Sequence, residues 1–542
     1  MAPDASSGTR SLRSIALLVA LATALSKVAG LLRQQAIAAA FGVGAAYDAF
    51  NYAYVLPGFL LILLGGINGP FHSAMVSVMA KRDRQDSARL LAAINTLLGT
   101  GLLVLTVLMV LLADPLITLV GPGLDPEIHQ LAALQLRLMA PMALLAGLIG
   151  LGFGALNAAD VYWLPAISPL LSSLAVLVGL GLLWLQAGSA IGNASWALAG
   201  GAVLALSTLA GAVLQWLVQL PALARQDLGQ LRLSFAWRQQ GVREVLRVMA
   251  PATLSSGMLQ INVNTDLFFA SGIAGAAAGL SYAGLLVQTP LGILSNMLLV
   301  PLLPVFARLS NADQRPELIN RIRQGLMLSN ASMLPLGGLM IALAAPIVTL
   351  VYERGSFDPN AAQLVVGLLM AYGLGMPVYL ARDVLVRVFY ALGDGQTPFR
   401  ISMAGIGLNV MFDWLLVGGP TPNGLLLPAL NCGAPGLVLA TVGVNLVSCL
   451  LLVLALQQQL GPLPLARWSS DSLQLGLAAV LGSLLAWGLA TGIQWPAGLL
   501  GFSLQVGLCG AAGAVIYGLL GSAMGVPEAQ QLGRQLRAKL PF

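Results

Sequence analysis

Apolar residues along this chain gather in long runs, and polar residues crowd into the short stretches between them. A helix that crosses a bilayer needs about 20 largely apolar residues. Fourteen runs meet that length, at approximately 14–40, 49–80, 90–113, 130–157, 163–186, 197–223, 245–272, 276–306, 325–350, 361–392, 400–418, 434–457, 472–493 and 497–522. The first follows Arg10 and Arg13 in the manner of a signal peptide, but its helical pattern continues through Lys27 and Gly30 to Gly42. That continuation predicts a retained span rather than a cleaved leader.

Cations fall on alternate loops. Arg10 and Arg13 precede span one; Lys81, Arg82, Arg84 and Arg89 follow span two; Arg225, Arg232, Arg238 and Arg243 follow span six. Arg308, Arg315, Arg321 and Arg323 follow span eight, and Arg400, Arg467 and the tail residues Arg534, Arg537 and Lys539 continue the series. Arg354 is the exception on the opposite side. Cytoplasmic loops are the ones enriched in Lys and Arg, so both termini are expected in the cytoplasm, with an even number of spans. No loop exceeds about 25 residues, which leaves no room for a soluble domain.

The pattern repeats. Tyr52-Ala53, followed by Pro57 and Pro70, recurs as Tyr282-Ala283, followed by Pro290 and Pro301. Phe153-Gly-Ala-Leu-Asn-Ala recurs as Phe389-Tyr-Ala-Leu-Gly-Asp, so the offsets are 230 and 236 residues, six spans each time. An even offset predicts two halves of the same orientation, related by a pseudo-two-fold axis along the membrane normal. The expected fold is an all-α polytopic membrane protein: an N-lobe over residues 1–224, a C-lobe over 225–465, and a helix pair with a cytoplasmic tail over 466–542.

Composition narrows the chemistry. With 26 Lys or Arg and 20 Asp or Glu in 542 residues, 8% of the chain is charged, against about 25% in a soluble protein. Cys432, Cys449 and Cys509 form no CxxC pair, and the two histidines, His72 and His129, stand far apart, so neither a disulfide framework nor a zinc or haem site is indicated. The net charge of +6 comes from scattered loop cations without aromatic interleaving, which argues against nucleic acid as a partner.

Ionisable groups inside spans are costly, about 2.5–3.5 kcal/mol each near a helix centre, so those present are the candidate chemistry. Lys27 lies mid-span, and Arg33 nearer the outer end is open to snorkelling. About 120° of helix separates them, and Gly30 between them is a candidate break that turns both toward one cavity. In span ten Arg382 and Asp383 are adjacent and Arg387 follows, with Asp383 able to neutralise either arginine. Arg137 is a further cavity candidate, and His72 reads either as a titrating group or as a packing residue. Asp48 reads as a helix N-cap with Phe50 and Tyr52 at the interface.

A second group is acidic. Asp266 lies in span seven, Asn409 and Asp413 share one face of span eleven, and Thr441 with the carbonyl of Leu437 follows in span twelve. Together they form a candidate hard-cation site for Na+ or H+; the alternative is pairing of the carboxylates with helix termini or amides. A cationic cavity calls for an anionic ligand, and a polyanion carried on a lipid suits it. The two spans beyond the duplicated twelve are available to line a tail groove, where Gly507, Gly510, Gly513 and Gly518 allow close contact.

Several stretches resemble one family. Ser26-Lys-Val-Ala-Gly-Leu-Leu-Arg33, Ala39-Ala40-Phe41-Gly42, Tyr47-Asp48-Ala49-Phe50 and Leu56-Pro57 are similar to the opening of the MurJ/MviN lipid II flippases. Val386-Arg-Val-Phe-Tyr-Ala-Leu-Gly-Asp394 with Thr397-Pro398 resembles that family's span-ten signature. The resemblance implies the fold of the multidrug/oligosaccharidyl-lipid/polysaccharide exporter superfamily. It implies a transporter of the bacterial inner membrane, not an enzyme, that turns undecaprenyl-pyrophosphate-linked disaccharide pentapeptide to the outer leaflet by alternating access during cell-wall synthesis. Lys27 and Arg33 then match the span-one cations that meet the pyrophosphate, Asp48 the acidic residue of span two, and Asp266, Asn409, Asp413 and Thr441 the sodium site of some members.

Two family arginines are absent, at Leu61/Ile62 and at Leu285, and Gln34 stands where an acid is expected. Either Arg137, His72, Arg382 or Arg387 supplies the missing charge, or the cargo is another polyprenyl-linked glycan. A cation-coupled small-molecule exporter is the remaining alternative, and the extra helix pair argues against it. No cofactor is expected beyond a coupling ion, and the chain is expected to act as a monomer among membrane lipids.

Overall fold

The computed structural model describes residues 12–65, 70–79, 82–228, 234, 241–247, 249, 264–309, 311–419, 429–527 and 530. Among these the chain is helical throughout, without strands. The first ten helices are α1 (Leu12–Phe41), α2 (Ala45–Gly65), α3 (Pro70–Met79), α4 (Arg84–Leu111), α5 (Ala113–Val120), α6 (Pro126–Met139), α7 (Met142–Ala158), α8 (Trp163–Ile167), α9 (Pro169–Ala187) and α10 (Ala197–Arg225). Eight more follow: α11 (Ala276–Arg308), α12 (Arg315–Ala342), α13 (Ala344–Tyr352), α14 (Pro359–Ala391), α15 (Gln396–Leu416), α16 (Ala434–Leu460), α17 (Leu465–Gly492) and α18 (Leu499–Ala523).

Among the described residues eleven helical spans are long and apolar enough to cross a membrane, or twelve if α6 and α7, bent by 41°, make one. The expected fourteen are not reached by that test. The run at 245–272 falls largely outside the described residues, as do Arg10, Lys81, Arg232, Arg238 and the tail cations. α1, at 30 residues, is about 45 Å long. The bend between α6 and α7 falls at Pro141, which lacks a backbone donor and crowds the preceding turn, a common cause of a kink.

The chain divides into two compact units, residues 1–268 with 354–356, and residues 269–353 with 357–542. Within the first, α7 packs against α2, α3, α4 and α10, around a core that includes Phe71, Met75, Leu90, Ile94 and Leu156. Within the second, α14 packs against α11, α12 and α16, and α17 packs against α12 and α18. Large apolar side chains such as Leu111, Leu185 and Leu500 remain 70%, 75% and 71% exposed, a surface that only a bilayer covers at low cost.

The units repeat one another in detail. A long helix breaks at Leu112 (φ −102°, ψ 20°) before short α5, and another breaks at Leu343 (φ −112°, ψ 18°) before short α13. The next helix opens on Asp125-Pro126 in the first unit and on Asp358-Pro359 in the second. Tyr52 and Tyr282 are both fully enclosed, as are Phe153 and Phe389. The matched residues of the sequence repeat are therefore packing residues of matched helices.

The C-terminal helix pair is anchored to the second unit by polar contacts. Arg323 pairs with Asp471 at 2.8 Å, with side chains 14% and 18% exposed. Asn330 donates to Ser472 at 2.9 Å, and Tyr517 donates to the carbonyl of Ala331 at 2.9 Å.

Candidate substrate and ion sites

In the first unit α1 runs unbroken through Gly30, which corrects the expectation of a break there. Lys27 and Arg33 consequently stay about 120° apart on one helix. Lys27 is exposed and Arg33 half-buried. The Nε of Arg33 is enclosed and, among the described residues, meets no hydrogen-bond partner. An enclosed donor left unsatisfied is costly, and an incoming anion relieves that cost.

Asp48 is 2% exposed and sits in the first turn of α2, not at its cap, and Tyr52 one turn on is 1% exposed. The cap-and-interface reading therefore fails for both. Burial follows from the surrounding contacts: the amide of Gln34 on α1 donates to the hydroxyl of Tyr47, and Gln135 on α6 donates to the carbonyl of Ala46 at 3.0 Å. Both ties flank Asp48, and neither is legible in the sequence because the partners lie on different helices.

Two other candidates have structural employment. Arg137 is exposed and pairs with Asp114 on α5. His72 is 6% exposed and accepts from the amide of Asn157 at 2.6 Å, a packing arrangement.

In the second unit Arg382 donates to Ser402 at 2.9 Å and Arg387 to the carbonyl of Leu299 at 2.8 Å. Asp383 is an electrostatic neighbour of both arginines. Asn409 donates to Asp413 at 2.8 Å, and the two are 1% and 0% exposed. Their helix α15 packs against α16, which carries fully buried Leu437 and half-buried Thr441. Asp266 is half-buried and falls in the first unit. Among the described residues no three His, Cys, Asp or Glu side chains converge.

Sequence reasoning did not assign a role to Asp394, beyond its place in the motif. Its carboxylate accepts from the backbone of Gln396 and Thr397, from the Thr397 hydroxyl at 2.6 Å, and from Gln459 at 2.7 Å. The motif residue thus starts α15 and ties it to the end of α16.

A duplicated, all-helical, membrane-length architecture with ionisable groups retained inside its helices is that of a membrane transporter. The family model described as lipid II flippase MurJ matches residues 37–504. The chain is 53% identical over 487 residues to a probable lipid II flippase MurJ of Synechocystis sp., covering 90% of this chain and 89% of that one. It is 30% identical over 480 residues to the lipid II flippase MurJ of Burkholderia cenocepacia, covering 86% and 88%. The chain belongs to the lipid II flippase MurJ family. Its fold matches a solved lipid II flippase MurJ in an inward closed conformation, with TM-score 0.73 and 21% identity, over 94% of this chain and 98% of that one. It also matches an inward-facing multidrug resistance transporter of the MOP superfamily, with TM-score 0.54 and 14% identity, over 82% and 98%.

Proposed function

We propose that this chain is a lipid II flippase of the bacterial inner membrane, carrying the peptidoglycan precursor to the outer leaflet by alternating access. The observation that carries the reading is the enclosed cation Arg33 on α1, with Lys27 a second cation on another face of the same helix. Lys27 is exposed on an apolar helix, and the enclosed Arg33 Nε awaits an acceptor; a pyrophosphate supplies several. Family membership over residues 37–504 supports the substrate class.

The lipid tail has a fitting partner. α12, α14 and α17 enclose an apolar groove of about 630 Å³, lined by Leu334, Leu374, Leu477, Val480, Leu484 and Trp487. Both termini face the cytoplasm on this reading, which places the cation-rich loops inside. A sodium ion or proton at Asp413, with Asn409 beside it and Thr441 and the Leu437 carbonyl on the packed helix α16, resets the carrier. One carboxylate among neutral oxygens suits a monovalent ion better than a multivalent one. The carrier acts as a monomer.

The test is transport of fluorescent lipid II by purified protein in liposomes. Loss of a charge-assisted contact, about 1.5–3 kcal/mol, predicts roughly 10–100-fold weaker lipid II binding in Lys27→Ala and Arg33→Ala. Unchanged binding and transport in both variants overturns the pyrophosphate role.

A further inference from the structure

In the first unit, a cavity of about 740 Å³ lies between the C-terminal parts of α1 and α9. Leu177, Leu180 and Trp184 supply its apolar side, and Ser189, Asn193 and Ser356 its polar side. Its volume is that of a ligand site for a small molecule. Part of its wall is fixed in place: the amide of Ser356 donates to the carbonyl of Ala39 at 2.8 Å. Gly355 holds φ +60°, and a Cβ there would stand 2.3 Å from the same carbonyl oxygen. The preceding residue, Arg354, is the cation that breaks the alternation of charged loops.

None of the lining residues is ionisable. A phosphate head drawn into such a pocket loses hydration without gaining a counter-charge. A neutral polyhydroxylated ligand does better, because hydroxyl and amide side chains satisfy its oxygens. Trp184 is 60% exposed, and its indole offers a flat apolar face with a polar edge, the surface on which the C–H face of a sugar ring stacks. An interfacial tryptophan anchoring the helix in the bilayer explains the indole alone, but not the hydroxyl and amide groups gathered opposite it.

We infer that this pocket is a glycan subsite that receives the N-acetylated sugars of the lipid-linked substrate. The assignment of that substrate rests on the function proposed above, and with it the placing of this end of α1 and α9 at the outer face. The lipid-linked head then meets the pocket on the side where it is released, and the fixed wall at Ser356 presents the site ready-formed.

The experiment titrates the full chain in phosphatidylcholine nanodiscs with N,N′-diacetylchitobiose, followed by saturation-transfer NMR on the acetyl methyls. Saturable binding is expected, weakened about tenfold by Trp184→Ala and largely kept by Trp184→Phe. Gly181 also lines the pocket, and a Cβ there meets nothing within 4 Å, so Gly181→Leu fills the space without disturbing the fold and abolishes binding. Absence of saturable binding, or equal binding by Trp184→Ala and Gly181→Leu, overturns the site. Lipid II transport is measured in parallel. Sugar binding with this mutational pattern but no lipid II transport removes the transport reading and leaves the glycan site standing. Transport without sugar binding removes only the glycan site.

Discussion

The guanidinium of Arg387 on α14 donates to the carbonyl of Leu299 on α11 at 2.8 Å. The bond ties α14 to α11, and Leu299 is fully buried, so water does not replace a lost donor. Arg387→Ala is therefore expected to destabilise the second unit by about 1–2 kcal/mol, read as a lower unfolding midpoint in detergent. Arg387→Lys should recover part of the loss. A variant that unfolds like the parent while losing lipid II affinity would make Arg387 a substrate contact instead.

Asn409 and Asp413 make a buried pair 2.8 Å apart. Asp413→Asn keeps hydrogen-bonding atoms in place and removes the charge, so any specific cation effect should vanish while the fold persists. The parent's unfolding midpoint is expected to rise in sodium chloride over choline chloride, since a ligand at about 100 times its Kd stabilises by about 2.7 kcal/mol. Asp413→Asn should show no difference between the salts. A sodium effect of equal size in both proteins excludes Asp413 from the ion site.

Asp394 offers a pH-dependent contribution. The Thr397 hydroxyl, with the Thr397 amide next, holds its carboxyl below the ordinary value of 3.8. A depressed folded-state value stabilises the loop above the unfolded value, and the contribution is lost as pH falls through the folded value. Its open position keeps the effect small. Hydrogen exchange at Gln396 and Thr397, taken relative to unstructured amides at the same pH, should therefore stay slow above about pH 4 and quicken below it. In Asp394→Asn it should already be fast at neutral pH, leaving no such step.

Much of this was legible in the sequence because the bilayer imposes a single length and a single polarity on each span. Most of the runs coincide with helices among the described residues, and the recurrence of Tyr52-Ala53 as Tyr282-Ala283 falls on residues enclosed alike in the two units. What could not be read were partners from elsewhere in the chain. Arg137 has the look of a cavity cation until Asp114 is found beside it on α5, a helix of 8 residues and too short to register as a span. His72 meets Asn157, 85 positions away. Asp48 has the composition of a cap, yet its burial depends on where α1 and α6 pack. A break at Gly30 was a local inference, and local sequence does not decide it when the neighbouring turns are strong helix formers.

The glycines of the last two helices sharpen the same distinction into a test. Gly507, Gly510, Gly513 and Gly518 are equivalent by composition, but their surroundings differ. A Cβ on Gly513 would stand 2.7 Å from the carbonyl of Gly482 on α17, and one on Gly482 would stand 2.6 Å from the carbonyl of Gly513. Neither backbone can yield without separating α17 from α18. Gly507 and Gly518 have nothing within 4 Å of the added carbon, so alanine there only improves helix propensity. Gly513→Ala should cost about 1–3 kcal/mol and loosen the C-terminal pair, while Gly507→Ala should be neutral or slightly stabilising. Unfolding midpoints of the two variants in one detergent decide the matter, and equal midpoints would mean that the two helices do not meet at these glycines.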